Sequence, residues 1–183
     1  MTDPGLPPRA YSVGERLQLL IAQGFGVGRF RKAPGTWGTL VGLLWTAALL
    51  WPRSGWIFSL GCAVGIGLSI WLCGAAERLL GKQDPGSVVL DEIIAMPLCF
   101  APWLVWRAWQ GLQAPNIQEW AGMGHGAFAL AGFLLFRLFD IWKPGLIARA
   151  QALPGGWGVT ADDVLAALAA GGLLLAGSSW LMN

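Results

Sequence analysis

The segment APGTWGTLVGLLWTAALLWPRSGWIFSLGCAVGIGLSIWLCGAA, residues 33–76, decides the fold, because Arg53 is its only charged residue. Arg53 divides it into two uncharged runs, 33–52 and 54–76. A helix needs about 20 consecutive apolar residues to cross a bilayer, with a range of about 17–25. The segment therefore predicts two membrane-spanning helices joined by a short turn.

Three further apolar runs lie outside this segment, at 93–106, 120–136 and 164–183. Over the whole chain 55% of the residues are hydrophobic and 12% are charged, against about 25% charged in a typical soluble domain. We therefore expect an all-α, multi-spanning membrane protein of about five apolar helices, the third of them short or re-entrant. It would form a single membrane-embedded domain over residues 1–183, with 1–23 as a polar N-terminal segment.

The basic residues predict the orientation. If five spans alternate, segments 1–32, 77–92 and 137–163 share one side and hold ten of the twelve lysines and arginines. Such an excess marks the cytoplasmic side. Nine of the ten acidic residues lie on the same side, although acidic residues do not set orientation. The net charge of +2 with scattered basic residues argues against nucleic-acid binding.

A glycine-rich stretch, GFGVGRFRKAPGTWGTL (24–40), precedes and opens the first span. Glycines let backbone N–H groups approach an anion, and a helix start adds partial positive charge. Arg31, Lys32, Thr36 and Thr39 are thus candidates for binding phosphate. A simple turn before a helix, capped by a threonine, would have the same pattern.

Acidic residues open the third run in QDPGSVVLDEIIA (83–95), which contains Asp84, Asp91 and Glu92. Two adjacent carboxylates at a membrane boundary are costly unless a cation neutralises them. They would also suit a solvated helix N-terminus. A metal site and a simple helix start both remain open at this point.

The fourth run ends in FRLFDIWKP (136–144), in which Arg137, Asp140 and Lys143 recur every three residues. That spacing predicts one helical face. Ionisable residues beside a membrane span usually serve function, although a surface row of ion pairs has the same spacing.

The last run is opened by GGWGVTADDVLAAL (155–168), with Asp162 and Asp163 in what would be the first turn and Thr160 as its N-cap. Acids are favourable there in any helix. However, three separate span ends now bring carboxylates to one side of the membrane. Carboxylate oxygens suit Mg²⁺, a hard cation that often binds carboxylates together with substrate phosphate.

In this order, APGTWGTL, DPGSVVLDEII, FRLFDIWKP and GGWGVTADDVLA resemble the motifs of the phosphatidylglycerophosphatase A family. The resemblance covers about residues 24–170. It implies a phosphoric monoester hydrolase of the bacterial inner membrane. Such an enzyme hydrolyses phosphatidylglycerophosphate to phosphatidylglycerol and inorganic phosphate with Mg²⁺, on an all-helical fold.

We therefore expect a site on the cytoplasmic side that acts on a phospholipid. Its Mg²⁺ ligands would be Asp91, Glu92, Asp162 and Asp163, and Arg137 and Lys143 would hold phosphate oxygens, Arg being suited to a two-point contact. Asp140 or Asp84 would act as a base or orient the nucleophile. Water and a carboxylate both remain open as that nucleophile.

Two alternatives remain. A phosphatase for another lipid phosphate would have the same residues, since acyl-chain contacts are generic apolar surface. A small transporter would also place ionisable residues in the membrane, but it predicts polar residues near mid-span, and these runs have few. The sequence does not indicate the oligomeric state.

Overall fold

The structure is a computed structural model that describes residues 11–121 and 123–181, and over these residues it has no β-strand. The all-α prediction is confirmed. The helices are α1 Val13–Ala22, α2 Pro34–Leu50, α3 Gly55–Leu80, α4 Leu90–Ala95, α5 Ala101–Trp109, α6 Ile117–Ala121, α7 Met123–Trp142, α8 Leu146–Gln151 and α9 Gly156–Leu181, with 3-10 segments at Gly24–Arg29 and Met96–Cys99.

Two helices of the described chain are long and apolar enough to cross a membrane, against the five expected. They are α3, with 26 residues, and the stretch Gly156–Ser178 of α9, with 23. The first predicted span forms α2, which has 17 residues and ends before Pro52. The third is divided into α4, a 3-10 segment and α5. Pro97 and Pro102 lack the N–H that a continuous helix would use there, which accounts for the division.

The fourth predicted span forms most of α7 and continues past its expected end at Phe136 to Trp142. Arg137 and Asp140 therefore lie in the last two turns of this helix. Lys143 follows it with a left-handed backbone, φ 46°. Arg137 and Asp140 thus share a helical face as predicted, whereas Lys143 lies beyond the end of the helix.

The core is built around α9, which packs against α3, α5, α7 and α8. Ala166, Ala167 and Ala170 of α9 are fully buried and allow its neighbours to approach closely. Phe100 and Phe128 fill the adjoining space, with ring centroids 6.0 Å apart. This packing fixes the position of α9 along the axes of α3 and α7, and with it the position of the acidic residues near the start of α9.

The helix ends lie at one or the other end of the bundle. The start of α2, the start of α4, the end of α7 and the first turns of α9 line one cavity. Arg53 and Gln113 instead line a groove at the start of α3 and the end of α5. Arg53 and the segment 107–119 lie outside the three segments predicted to share the cytoplasmic side, and they meet at this groove in the structure.

Candidate active site

A cavity of about 250 Å³ lies where four helix ends converge. It is lined by every acidic and basic residue of the motifs QDPGSVVLDEIIA, FRLFDIWKP and GGWGVTADDVLAAL. The lining residues are Ala33, Pro34, Gly35, Asp84, Gly86, Val88, Asp91, Glu92, Arg137, Asp140, Lys143, Val159, Asp162 and Asp163. Sequence motifs separated by up to 130 positions thus form one site.

Three carboxylates form the candidate metal centre within this cavity. One oxygen from each of Asp91, Glu92 and Asp163 lies within 4.8 Å of the others. Asp91 and Asp163 are only 5% and 3% exposed. Buried carboxylates this close repel one another unless a cation or protons neutralise them. Three of the four residues that we expected to bind the metal are therefore brought together.

The α4 carboxylates are positioned by contacts at the helix start. The Val89 N–H donates to the Ala22 carbonyl at 3.0 Å and so joins this helix to the end of α1. The Asp91 side chain accepts a hydrogen bond from the Glu92 N–H at 3.1 Å. Adjacent residues on a helix point about 100° apart, so both acids reach the cavity only because it wraps around this end of α4.

Asp163 is positioned by the close packing of α9 on α3. A Cβ on Gly156 would overlap the Ile70 carbonyl, and one on Gly74 would lie 2.9 Å from the Gly156 nitrogen. Four residues into α9, the Thr160 hydroxyl hydrogen-bonds the Ser69 hydroxyl at 2.8 Å. Since α9 already begins at Gly156, our expectation that Thr160 caps it was wrong. Thr160 joins two helices instead.

The electrostatics of the carboxylates favour binding of a cation. Burial raises the pKa of Asp91 from 3.8 to about 6. Burial, followed by the charge of Asp91, raises the pKa of Glu92 well above its usual value. The Glu92 Oε2 atom is buried without a hydrogen-bond partner in the described structure. An oxygen-only donor set with a free buried carboxylate oxygen fits a hard cation such as Mg²⁺.

Two basic residues face the carboxylates. The Arg137 Nη1 donates to Asp140 Oδ2 at 2.5 Å and lies 4.0 Å from Glu92 Oε1. Lys143 contacts Asp162, and its Nζ lies 3.8 Å from Asp140 Oδ1. Asp140 thus bridges the two cations. This row of charges can hold an anion beside the three-carboxylate group.

Lys143 reaches Asp162 because its backbone is left-handed. A non-glycine residue in that region is strained, and such strain tends to occur at functional sites. Burial lowers the pKa of Lys143, but the hydrogen bond that Lys143 donates to Asp162 and the nearby negative charges more than offset this and raise it. Lys143 therefore stays protonated at neutral pH and positions Asp162 away from the other acids.

The remaining predicted residues lie at or beyond the rim. The Asp84 side chain is exposed and accepts a hydrogen bond from Gln151 Nε2 at 2.9 Å. The Thr39 hydroxyl is buried and donates to the Gly35 carbonyl at 2.8 Å. Arg31 and Lys32 are exposed, and neither they nor Thr36 lines the cavity.

Gly35 is a site residue that our sequence analysis missed. A Cβ there would overlap Glu92 Oε1 and lie 3.0 Å from Arg137 Nη1. The backbone of the first turn of α2 thus forms the wall behind both charged groups. The Pro-Gly pair at 34–35 was the available signal, but Pro-Gly is common in turns and does not reveal a contact with distant residues.

Comparison of the sequence with known proteins gives a family match. The family model described as phosphatidylglycerophosphatase A matches residues 20–178. A phosphatidylglycerophosphatase A from Haemophilus influenzae is 35% identical over 166 residues, covering 89% of this chain and 90% of that protein. The protein of the same name from Escherichia coli is 32% identical over 157 residues, covering 85% of this chain and 80% of that protein.

A third relative carries another name. A provisionally named phosphatidylinositol-3-phosphatase from Bacteroides thetaiotaomicron is 32% identical over 176 residues, covering 91% of this chain and 96% of that protein. No solved structure gives a significant match. All three relatives are named for removing a phosphate from a lipid.

Proposed function

The chain belongs to the phosphatidylglycerophosphatase A family, and from this premise we propose that it hydrolyses phosphatidylglycerophosphate to phosphatidylglycerol and inorganic phosphate. The observation that carries the proposal is the cavity in which two buried carboxylates, Asp91 and Asp163, and the partly buried Glu92 face Arg137 and Lys143. In the overall reaction, water adds to phosphorus as the bond from phosphorus to the glycerol oxygen breaks. The released alcohol takes one proton.

We assign the metal site to Asp91, Glu92 and Asp163, with Mg²⁺ as the ion. The ion would supply positive charge to the phosphoryl oxygens, where negative charge must be stabilised during transfer. The chain itself contributes the buried position of these acids, which excludes competing water. Asp162 belongs to the same acidic sequence pair, but in the structure its partner is Lys143.

The remaining charged residues bind and orient the phosphate. The planar Arg137 guanidinium offers donors that match two phosphate oxygens, and its Nε is buried without a partner in the described structure. Lys143 adds a second positive charge. Asp140, in contact with Arg137, orients the guanidinium and is well placed to accept a proton from the nucleophile. Asp84 at the rim is the second candidate base. The exposed Arg31 and Lys32, with Thr36, would attract the phosphate before it enters, whereas the buried Thr39 would support the start of α2 through its bond to the Gly35 carbonyl.

We also propose that the whole chain is one domain of the bacterial inner membrane, with this cavity on the cytoplasmic side. Five helical passes would run between the two ends of the bundle, namely α2, α3, residues 93–106 of α4 and α5, α7, and α9. The ten-to-two distribution of basic residues supports this orientation. It predicts that a cysteine introduced at Lys82 reacts with a membrane-impermeant maleimide only in inverted vesicles, whereas labelling in intact cells would contradict it.

A second candidate substrate is a phosphoinositide, because one relative is named for that activity. The carboxylates and cations recognise the phosphate monoester that both lipids share. What differs between the substrates is the alcohol that leaves. The Bacteroides thetaiotaomicron name is the only observation that favours the phosphoinositide, so phosphatidylglycerophosphate remains the first choice.

The deciding experiment measures phosphate release by the purified full-length chain in mixed micelles. The panel contains phosphatidylglycerophosphate, phosphatidylinositol 3-phosphate, phosphatidic acid and glycerol 3-phosphate, each with Mg²⁺ or with EDTA. We expect the fastest release from phosphatidylglycerophosphate with Mg²⁺ and none with EDTA. Glu119→Gln, a change in an exposed acid outside the cavity, serves as the matched control for Asp91→Asn. Equal activity of wild type and Asp91→Asn would contradict the site.

A further inference from the structure

We propose that the acyl chains of the lipid substrate lie along the seam between α2 and α7, against Leu40, Leu130 and Leu134, while the phosphate occupies the cavity. This inference rests on the proposed function, because it requires a lipid phosphate as substrate. It adds what the catalytic residues leave open, namely the route by which a lipid reaches them.

The two helices meet at the cavity wall. Gly35 is the second residue of α2, and a Cβ added to it would lie 3.0 Å from Nη1 of Arg137 near the end of α7. From this point α2 runs away from the cavity, whereas α7 runs towards it. The two helices are therefore antiparallel, and the seam between them begins at the residue that we expect to bind phosphate.

The side of α2 that packs in the same core cluster as α7 continues to an exposed apolar position. Leu43 and Ala47 pack in the core cluster that contains Phe136 of α7. Leu40 lies one helical turn before Leu43, on the same side, and is 39% exposed. At 1.5 Å per residue, Leu40 is about 7.5 Å along the axis from Gly35.

α7 offers a matching apolar surface. Phe136 is fully buried, whereas Leu130 and Leu134 are each 57% exposed. Arg137 is one residue from Phe136 and one turn from Leu134, so it lies at the boundary between the buried and exposed faces. Leu134 and Leu130 are about 4.5 Å and 10.5 Å along the axis from Arg137. Leucines on both helices therefore flank the seam within two turns of the guanidinium.

The cavity is too small to enclose a whole lipid, so the acyl chains need an apolar surface outside it. At about 250 Å³ it is smaller than the roughly 300–1,000 Å³ of sites that enclose a drug-sized ligand. It can hold a phosphate group but not a diacylglycerol. A charged cavity that continues into an exposed apolar seam matches the two parts of a phospholipid, and the acyl chains never need to leave the hydrophobic layer.

The rival position is the larger apolar groove between α3 and α5, about 790 Å³, with Arg53 at its rim. Arg53 lies two residues before α3, whereas the start of α9, whose first turns line the cavity, contacts Ser69 and Gly74 in the second half of α3. Gly55 and Ser69 are 14 residues apart, about 21 Å of helix. A lipid with its head group at Arg53 could not bring its phosphate to the carboxylates.

The test introduces tryptophan at each surface of the full-length chain and measures kcat/KM for long-chain phosphatidylglycerophosphate in nanodiscs. Leu40→Trp and Leu134→Trp obstruct the seam, and Ala63→Trp fills the rival groove. Leu60→Trp is the matched control, because Leu60 is 62% exposed on α3 and lines neither the groove nor the cavity. We expect losses of about tenfold for the two seam variants only, the order of a perturbed hydrophobic contact with substrate.

Three results would overturn the inference. These are normal kcat/KM in both seam variants, a loss confined to Ala63→Trp, and equal losses in all four variants, which a general effect on the bilayer would explain. Absence of lipid phosphatase activity in the wild type would instead contradict the proposed function. As a second measurement, the same lipid with a diazirine in one acyl chain should label peptides of α2 and α7, and labelling of α3 and α5 alone would favour the groove.

Discussion

The Lys143 ammonium contacts the Asp162 carboxylate, joining the turn after α7 to the second turn of α9. Asp162 is adjacent in sequence to Asp163, yet the two acids have different partners. Asp163 joins Asp91 and Glu92, whereas Asp162 is held by a cation. The paired aspartates of this motif therefore have different surroundings, Asp163 in the candidate metal centre and Asp162 beside Lys143.

This separation predicts different effects for two neighbouring substitutions. Asp163→Asn removes a metal ligand and should weaken Mg²⁺ binding by more than about 100-fold, the upper end for residues that only support a ligand. Asp162→Asn should leave Mg²⁺ affinity within a few-fold and instead raise KM for the lipid, because Lys143 loses its partner. The Mg²⁺-dependent rise in melting temperature measures the first effect and steady-state kinetics the second. Equal Mg²⁺ affinities in both variants would contradict the division.

Arg137→Lys tests the phosphate grip independently of the metal. Lysine keeps the charge but lacks the planar pair of donors. We expect a loss of about 10²–10³-fold in kcat, the range seen when one donor to a developing oxyanion is removed. Mg²⁺ affinity should be nearly unchanged, so excess Mg²⁺ should not restore turnover. Recovery at high Mg²⁺ would indicate that Arg137 acts mainly by holding Glu92.

Gly35→Ala tests the wall formed by the start of α2. The added methyl group would overlap Glu92 Oε1 and crowd Arg137, and a displacement of about 1 Å at a catalytic group can cost about 10²-fold in rate. Gly67→Ala is the control, because a Cβ there meets nothing within 4 Å. Turnover should fall only for Gly35→Ala. Similar turnover in both variants would show that the close approach has no catalytic importance.

The sequence predicted the parts of this site that follow from the order of the spans, but not the parts that depend on contacts between distant residues. If the spans alternate, the carboxylates at these span ends lie on one side of the membrane, so Asp91, Glu92 and Asp163 could be predicted as candidates for one group. The Lys143–Asp162 contact was not, because it depends on a left-handed residue where a continuous helix was expected. The role of Gly35 was hidden for a similar reason, since a glycine near a proline does not specify which distant residues approach it.

The fold could likewise be predicted from the sequence only in part. Long uncharged runs identified α3 and most of α9 because length and composition suffice for a spanning helix. The third run was divided at Pro97 and Pro102, and its short length had already suggested a departure. The start of α9 was placed too late, because Gly155 and Gly156 suggest a turn when read locally. In the structure Gly156 begins the helix where it crosses Gly74, a tertiary contact that overrides local propensity.

The raised pKa of Asp91 predicts how stability depends on pH without metal. The folded protein binds this proton more tightly than the unfolded chain, so the contribution of Asp91 to stability is present below pH 3.8 and is lost as the pH rises to about 6. A pKa change of this size corresponds to about 3 kcal/mol. In EDTA, Asp91→Asn should therefore melt at a higher temperature than wild type at pH 8, and added Mg²⁺ should reverse the order. A lower melting temperature for the variant in EDTA would contradict this.

The Ser69–Thr160 hydrogen bond gives the last prediction, because it is the side-chain contact that sets α9 against α3 three residues before Asp163. Both hydroxyls are buried and lie 2.8 Å apart. Thr160→Val keeps the shape but removes the hydroxyl, and it should lower stability by about 0.5–1.5 kcal/mol, the usual net value of such a bond. If the bond also positions Asp163, Mg²⁺ affinity should fall as well, and Thr160→Ser should restore it. Thr46→Val is the matched control, since that buried hydroxyl bonds only within α2, to the Gly42 carbonyl at 2.8 Å. A loss of stability in both variants with Mg²⁺ affinity unchanged would assign Thr160 a purely structural role, whereas a loss of Mg²⁺ affinity in Thr160→Val alone would show that the α3–α9 contact holds the metal centre in place.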